Sequence, residues 1–380
     1  MSRYFLLPGL LWWLCFCAEA AEYPRQVTDL AGRTVTLHRA PQRIVLQDSN
    51  DLLALALLDR EQPLKRVVAW DNNLASSDPG LWNVIRQRWP ASSNVQELDF
   101  PQSGQLDIER LLRIHPDLII ARLGGRPAIE NTVLQSVLDR LGIPLVYVDS
   151  ELDPLVNVPR SIELLGRVLA REGRAGAYLA RYRQMEDRLK QTAQGLTGPR
   201  VFVEARAGQA GGGGCCHTQA HSGWGLLTEN VGAINLGSRY MRSESGDVAL
   251  ETLILSKPDV YLMTGTQRMR NGVGAIAFGY QADRQKIDSE MKRLMTRPGF
   301  AATAKASGSC VQGLNHQFYN SVFNVVGAQW LAKLFWPRAF SDLDPDAEYR
   351  SLISEFTTLP DVPFVFHQQV CFSDLHSTAG

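Results

Sequence analysis

Two segments of the chain, 142 positions apart, carry the same pattern of residues, and this repeat limits the fold more than any other feature. Leu106-Asp107-Ile108-Glu109-Arg110-Leu111-Leu112 leads to His115-Pro116-Asp117-Leu118-Ile119-Ile120, and Val248-Ala249-Leu250-Glu251-Thr252-Leu253-Ile254 leads to Lys257-Pro258-Asp259-Val260-Tyr261-Leu262. Glu, Leu, Pro and Asp stay in register throughout. Each copy reads as a short helix with the Glu in its first turns, a stop at Pro-Asp, and a buried strand. A unit that occurs twice at such spacing predicts two related α/β lobes. Lobes of that kind place a cleft where the carboxyl ends of their strands face each other.

The rest of the chain fits that division. Residues 27 to 37 read as a hairpin turning at Ala31-Gly32. Short apolar runs at Ile44 to Leu46, Arg66 to Trp70, Asp117 to Ala121 and Leu145 to Val148 alternate with helix-length segments, the rhythm of a mostly parallel sheet covered by helices. Residues 153 to 194 then read as one long helix, with Tyr178, Tyr182, Met185 and Leu189 on one face. Strands resume at Arg200 to Ala205 and Asp259 to Thr264, and helices follow at Ser321 to Phe335 and, capped by Asp344-Pro345, at Asp346 to Phe356. The expected organisation is an N-terminal α/β lobe over 21–152, a bridging helix over 153–195, a C-terminal α/β lobe over 196–360, and a tail, 361–380, with no assignment.

Residues 1–20 read as an export signal: Arg3, the apolar run Tyr4 to Cys17, and a small-x-small cleavage site at Ala18-Glu19-Ala20. An exported protein cleaved near Ala20 is expected, and the residues before Cys15 and Cys17 do not favour lipid attachment. Four cysteines follow the signal, Cys215, Cys216, Cys310 and Cys371. In an oxidising compartment they are open to disulfide pairing, although adjacent Cys215 and Cys216 would bond each other only with strain. With 39 basic and 39 acidic residues the chain shows no polyanion footprint, so no nucleic-acid partner is expected.

No Gly-x-Ser-x-Gly, His-Glu-x-x-His or phosphate-loop signature occurs, and no enzymatic activity or catalytic residue is assigned. Gly211 to Gly214 read as a loop. Cys215-Cys216-His217 with His221 lacks the second ligand pair of a zinc site, so no metal site is assigned either. The residues that follow the expected strands carry the site: Gln47 to Asn50, Trp70-Asp71, Arg122 to Arg126, Arg206, and Thr264 to Arg270. Arg122 and Arg206, from opposite lobes, are candidates to clamp an anion by forked hydrogen bonds. Trp70, Trp224, Tyr240 and Tyr319 are candidates to pack against a planar ligand.

Val27 to Val35 and Ala40-Pro41-Gln42-Arg43-Ile44-Val45 resemble the opening of the helical-backbone periplasmic binding proteins, the substrate-binding components of iron-siderophore, haem and vitamin B12 ABC importers. Arg297-Pro298-Gly299-Phe300, His316 to Ser321, Asn324-Val325-Val326, Phe335-Trp336-Pro337 and Phe340 to Pro345 resemble the ferric-siderophore and ferric-citrate branch. The likeness runs over almost all of 25–358. It implies two lobes on one bridging helix, small closure, and no cofactor beyond ferric iron carried within a bound chelate. It also implies a monomeric receptor that docks on the inner-membrane permease through Glu109 and Glu251, one from each copy of the repeat. His217 and His316 join Trp70, Arg122, Arg206, Trp224, Tyr240 and Tyr319 as expected ligand-binding residues. Two alternatives stand beside a ferric-siderophore receptor. One is a haem or cobalamin receptor of the same class, with His217, His316 or Tyr240 as axial ligand. The other is an exported iron-release or redox accessory protein using Cys215-Cys216-His217.

Overall fold

The computed structural model describes residues 23–100, 107–209, 216–270, 272–304 and 310–375. The expected export signal and the Gly211 to Gly214 loop lie outside the described residues, as do Cys215 and His376. Two five-stranded sheets dominate. In chain order their strands are β1 (Ile44–Leu46), β2 (Val67–Trp70), β3 (Gln96–Glu97), β4 (Leu118–Arg122), β5 (Leu145–Val148), β6 (Arg200–Glu204), β7 (Ile234–Asn235), β8 (Val260–Gly265), β9 (Cys310–Asn315) and β10 (His367–Cys371). The spatial orders are β3-β2-β1-β4-β5 and β7-β6-β8-β9-β10. The first sheet is parallel throughout, and the second is parallel except for β10, which lies antiparallel on β9. Each lobe therefore places its first strand inside the sheet, adds strands on one side of it, two in the first lobe and one in the second, and then crosses over to the other side. In both lobes the repeated unit supplies the strand beside the first one after the crossover, β4 next to β1 and β8 next to β6.

Near-continuous apolar runs form these strands because both faces of each sheet are covered. Side chains alternate between faces, and the alternation sorts them into different cores. Ile44, Leu46, Ile120, Val146 and Val148 share one apolar core with Val201, Val203, Leu262 and Leu314 of the second lobe. Val45, Ile119, Ala121 and Tyr147 form a core private to the first lobe, and Phe202, Tyr261, Met263 and Val311 one private to the second. The shared core is completed by the connection between lobes, through Val158, Ile162, Leu165, Tyr178 and Tyr182. At about 1.5–3 kcal/mol for each large apolar side chain buried, this continuous layer ties the lobes together more firmly than a flexible linker would.

The repeat has a stereochemical basis. Helix α1 (Ile108–Arg113) precedes β4, and helix α4 (Leu250–Ser256) precedes β8 in the same way. His115 and Lys257 both take left-handed backbone, φ 49° and 48°, and the proline after each prevents the helix from resuming. Asp117 then accepts from the backbone N–H groups of Gln42 and Arg43, and Asp259 from that of Arg200. The guanidinium of Arg43 returns to the carbonyls of Ile114 and His115, and that of Arg200 to Ser256. In both lobes a Pro-Asp pair thus pins the end of the helix to the start of the lobe's first strand.

The bridge is two helices, α2 (Pro154–Val168) and α3 (Glu172–Ala193), where the sequence reads as one. Ala170, at φ 54°, breaks the helical path, and the helices pack closely enough that a Cβ on Gly166 would lie 2.5 Å from that of Ala175. Tyr178, Tyr182, Met185 and Leu189 are all buried, as their spacing predicts. Helices α5 (Asn324–Phe335) and α6 (Pro345–Phe356) cover the same core, with Asp344 capping Ala347 N–H. The unassigned tail has a definite place: Phe364–Val365 pairs with Gly279–Tyr280, and β10 edges the second sheet. A disulfide between Cys310 and Cys371, which are paired residues of β9 and β10, fastens that edge. Cys216 is also disulfide-bonded.

Candidate functional site

The carboxyl ends of the two sheets bring the chain's polar residues together. The lobes meet beside them, where the carbonyl of Ser77 accepts from Thr266 Oγ1 at 2.9 Å and from Gln317 Nε2 at 3.1 Å. Contact there is close: a Cβ on Gly80 would lie 2.8 Å from Gln267 Oε1 and 3.0 Å from the Tyr280 carbonyl. Glu151 adds a second seam, with its carbonyl accepting from Gly223 N–H and its carboxylate from Asn320 Nδ2.

Arg122 ends β4 and is already engaged. Its Nε lies 3.2 Å from Asp51, its Nη1 3.6 Å from Glu151 and 2.7 Å from Ser150 Oγ, and its Nη2 3.9 Å from Asp48. Burial opposes its charge, but Asp51, Asp48 and Glu151 outweigh that cost and hold the guanidinium above its ordinary value. Burial also pushes the Asp51 carboxyl up to about 6, with Arg122 pulling the other way. Arg122 is therefore the centre of an acidic cluster, and the expected two-arginine clamp has only its C-terminal half available. The carboxylates come from loops after β1 and β5, and sequence spacing alone does not place them on β4.

Arg206 follows β6 with left-handed backbone, φ 52°, its N–H bonded to Thr264 Oγ1. Its side chain is half-buried and makes no hydrogen bond or ion pair among the described residues. His316, after β9, is buried. Its Nδ1 lies 2.8 Å from Thr264 Oγ1, while Nε2 has no partner among the described residues. Burial, then Arg206 and Arg268, hold its imidazole neutral, well below the ordinary histidine value. Tyr319 stands edge-on to His316 with ring centroids 5.0 Å apart, and burial, then Glu151, pushes its hydroxyl up to about 12. Arg206, Gln219 and Arg122 pull that hydroxyl the other way, so residues of both lobes act on it. His217 lies beside this group, half-exposed and 2.9 Å from Asp247.

The aromatic candidates divide. Trp224 is fully buried and supports the site from below, its indole N–H donating to the His316 carbonyl at 2.8 Å and its ring edge-on to Tyr319. Trp70 is fully buried against Trp82. Neither offers a face to a ligand in this structure. Tyr240 is drawn to the opposite end of the sheet: its hydroxyl bonds Ser256, just before β8 begins, so it is remote from Arg206. Glu109 and Glu251 are exposed, each the second residue of its helix. Glu151, Arg268 and Gln219 are site residues not singled out from the sequence. Extending the strand-end rule past β5 points to Glu151, and Arg268 falls within a strand-end loop already marked.

The two lobes share a core, open toward each other at their strand ends and present fixed polar groups there. Residues 70–306, more than half of the chain, match the family model described as periplasmic binding protein. The chain belongs to that family. A curated relative, the ferric enterobactin-binding periplasmic protein FepB of Escherichia coli, is 34% identical over 126 residues, which cover 33% of this chain and 37% of the relative. Among solved structures, the TroA-like periplasmic binding protein FepB from Veillonella parvula superposes with a TM-score of 0.79 over 91% of this chain and 99% of that one, at 21% identity. Helicobacter pylori CeuE with bound Ni(II) superposes at 0.63 over 89% and 97%, at 16% identity. These likenesses fix the fold as two-lobed α/β.

Proposed function

We propose that this chain is the periplasmic receptor of an ABC importer, that it binds a ferric chelate of the siderophore class between its lobes, and that it delivers the chelate to an inner-membrane permease. The observation that carries this reading is the stretch 34% identical to a relative named for ferric enterobactin. The site supports it: Arg206 and Arg268 present positive charge toward the cleft, and Tyr319, His316 and Gln219 offer hydrogen-bonding groups beside them. Iron arrives and leaves within the chelate, so no catalytic step is assigned. Export by residues 1–20, the lobe boundaries near 152 and 196, and a monomeric receptor belong to the same proposal.

Glu109 and Glu251 are the proposed docking points on the permease. A two-fold permease presents the same basic surface to both lobes, and the repeated helix–Pro-Asp–strand unit sets one exposed glutamate on each.

The test is calorimetric titration of the signal-free protein with ferric enterobactin, iron-free enterobactin, ferric citrate and haem. Submicromolar binding of a ferric chelate, with the iron-free form at least ten-fold weaker, supports the proposal. Haem binding with a Soret band would replace it with the haem-receptor reading, and no binding by a folded protein would overturn it. In cells, Glu109→Gln with Glu251→Gln should abolish uptake while leaving affinity unchanged.

A further inference from the structure

The two strand-end edges that face the cleft carry opposite charge. In the N-terminal lobe β1 is followed by Asp48, β2 by Asp71, β3 ends at Glu97, and β5 is followed by Asp149 and Glu151. One cation, Arg122, stands among them and is shared by Asp48, Asp51 and Glu151. Arg126 is taken by Glu130 at 2.8 Å. The carboxylates therefore outnumber the positive charge, and Glu151, with its side chain 46% exposed, is open to a ligand.

In the C-terminal lobe β6 ends at Glu204, but that carboxylate is buried and held by both Nη atoms of Arg297 at 2.6 and 2.7 Å. The same edge carries Arg206 and Arg268, whose charges both act on His316, beside the neutral residues Thr264 and Gln267. The orphaned Nε2 of His316, 1% exposed, adds a hydrogen-bonding group with no protein partner among the described residues. Tyr319 sits between the edges, acted on by Glu151 and Arg122 from one and Arg206 from the other.

We infer that the chelate taken by this cleft is charge-asymmetric: its anionic iron-binding centre faces Arg206 and Arg268, and amine or guanidine groups on its arms face Glu151 and Asp48. This inference rests on the proposed receptor function and narrows its substrate class. A uniformly anionic chelate meets like charge on the N-terminal lobe, where juxtaposed carboxylates reject wrong partners more strongly than they strengthen right ones. A cationic arm turns the same carboxylates into partners, by charge-assisted hydrogen bonds.

The test uses two synthetic probes with the same iron centre, the ferric complexes of dihydroxybenzoyl-arginine and dihydroxybenzoyl-glycine, titrated into the signal-free protein, with ferric enterobactin as a common reference. The arginine-armed complex is expected to bind on the order of ten-fold more tightly than the glycine-armed one. Glu151→Gln combined with Asp48→Asn should bring the two to parity, chiefly by weakening the arginine-armed complex, whereas Arg206→Gln should weaken both. Equal or tighter binding of the glycine-armed complex, or a preference that survives the double substitution in a protein with unchanged circular dichroism, overturns the inference while leaving the receptor reading intact. Failure of all three ferric chelates to bind the folded wild-type protein overturns both.

Discussion

Replacing Arg297 by methionine isolates the interaction that holds the floor of the C-terminal half of the site. Arg297 meets Glu204 through both Nη atoms, Tyr261 donates to Glu204 Oε2 at 2.8 Å, and the guanidinium lies 5.0 Å over the ring of Phe300. Glu204 is 3% exposed and ends β6, two residues before Arg206. Methionine keeps the volume and removes the charge, leaving a buried carboxylate with one hydroxyl partner. Removing one member of a buried pair costs about 3–5 kcal/mol, most of it from stranding the other charge. Adding Glu204→Gln takes that stranded charge away, and the double variant should recover on the order of 2 kcal/mol of the loss. Urea unfolding at neutral pH, followed by circular dichroism, measures both values. A single-variant loss below about 1 kcal/mol, or a double variant no more stable than the single, would refute the claim that a desolvated ion pair supports this edge. The same geometry explains Arg297-Pro298-Gly299-Phe300: the arginine reaches the sheet and the phenylalanine lies under its guanidinium.

Three further outcomes are expected. Serine at both Cys310 and Cys371 removes a bridge between residues 61 positions apart, a loop whose closure entropy is worth about 4 kcal/mol, and the loss should appear as a lower urea midpoint; an unchanged midpoint would contradict it. Gly265→Ala sets a Cβ 2.2 Å from the Ile276 carbonyl at the end of β8, so backbone must move and a loss of about 1–3 kcal/mol is expected; a neutral result in the same assay would contradict the close approach. Asp78, buried at the seam between lobes, has its carboxyl pushed up to about 6 by burial, against Leu81 N–H. Its folded value lies above the unfolded one, so the stability it contributes is complete below about 4 and is lost as pH rises through about 6. Asp78→Asn should then raise Tm above pH 7 and change it little near pH 4; the reverse order would exclude the burial argument.

The parts of the fold legible in sequence are those set by local pattern. β1 and β5 have the bounds their apolar runs predict, because turn residues close both ends of each run. β9 was not legible: Gln312 and Gly313 interrupt its apolar run, and the glycine is needed because a Cβ there would lie 2.5 Å from the Phe278 ring. β10, His-Gln-Gln-Val-Cys, is a polar edge strand whose partner is identified only when β9 is in place. The site divides in the same way. Strand-end position marks Arg206 and the loop that carries Arg268, since it depends on local sequence. The engagement of Arg122 depends on Asp48, Asp51 and Glu151, which the fold gathers from two other loops. Trp70 and Trp224 show the complementary limit: an aromatic residue near a strand end suits a ligand or a core equally well, and packing decides for the core.

Hydrogen–deuterium exchange of the signal-free protein, with and without saturating ferric enterobactin, tests the central claim most directly, because it asks where a bound chelate rests. The account predicts protection in residues 264–268 and 316–321 of one lobe together with 48–51 and 149–151 of the other, with little change around Tyr240. Protection confined to one lobe, or to the outer surface of α3, would contradict binding between the two strand-end edges.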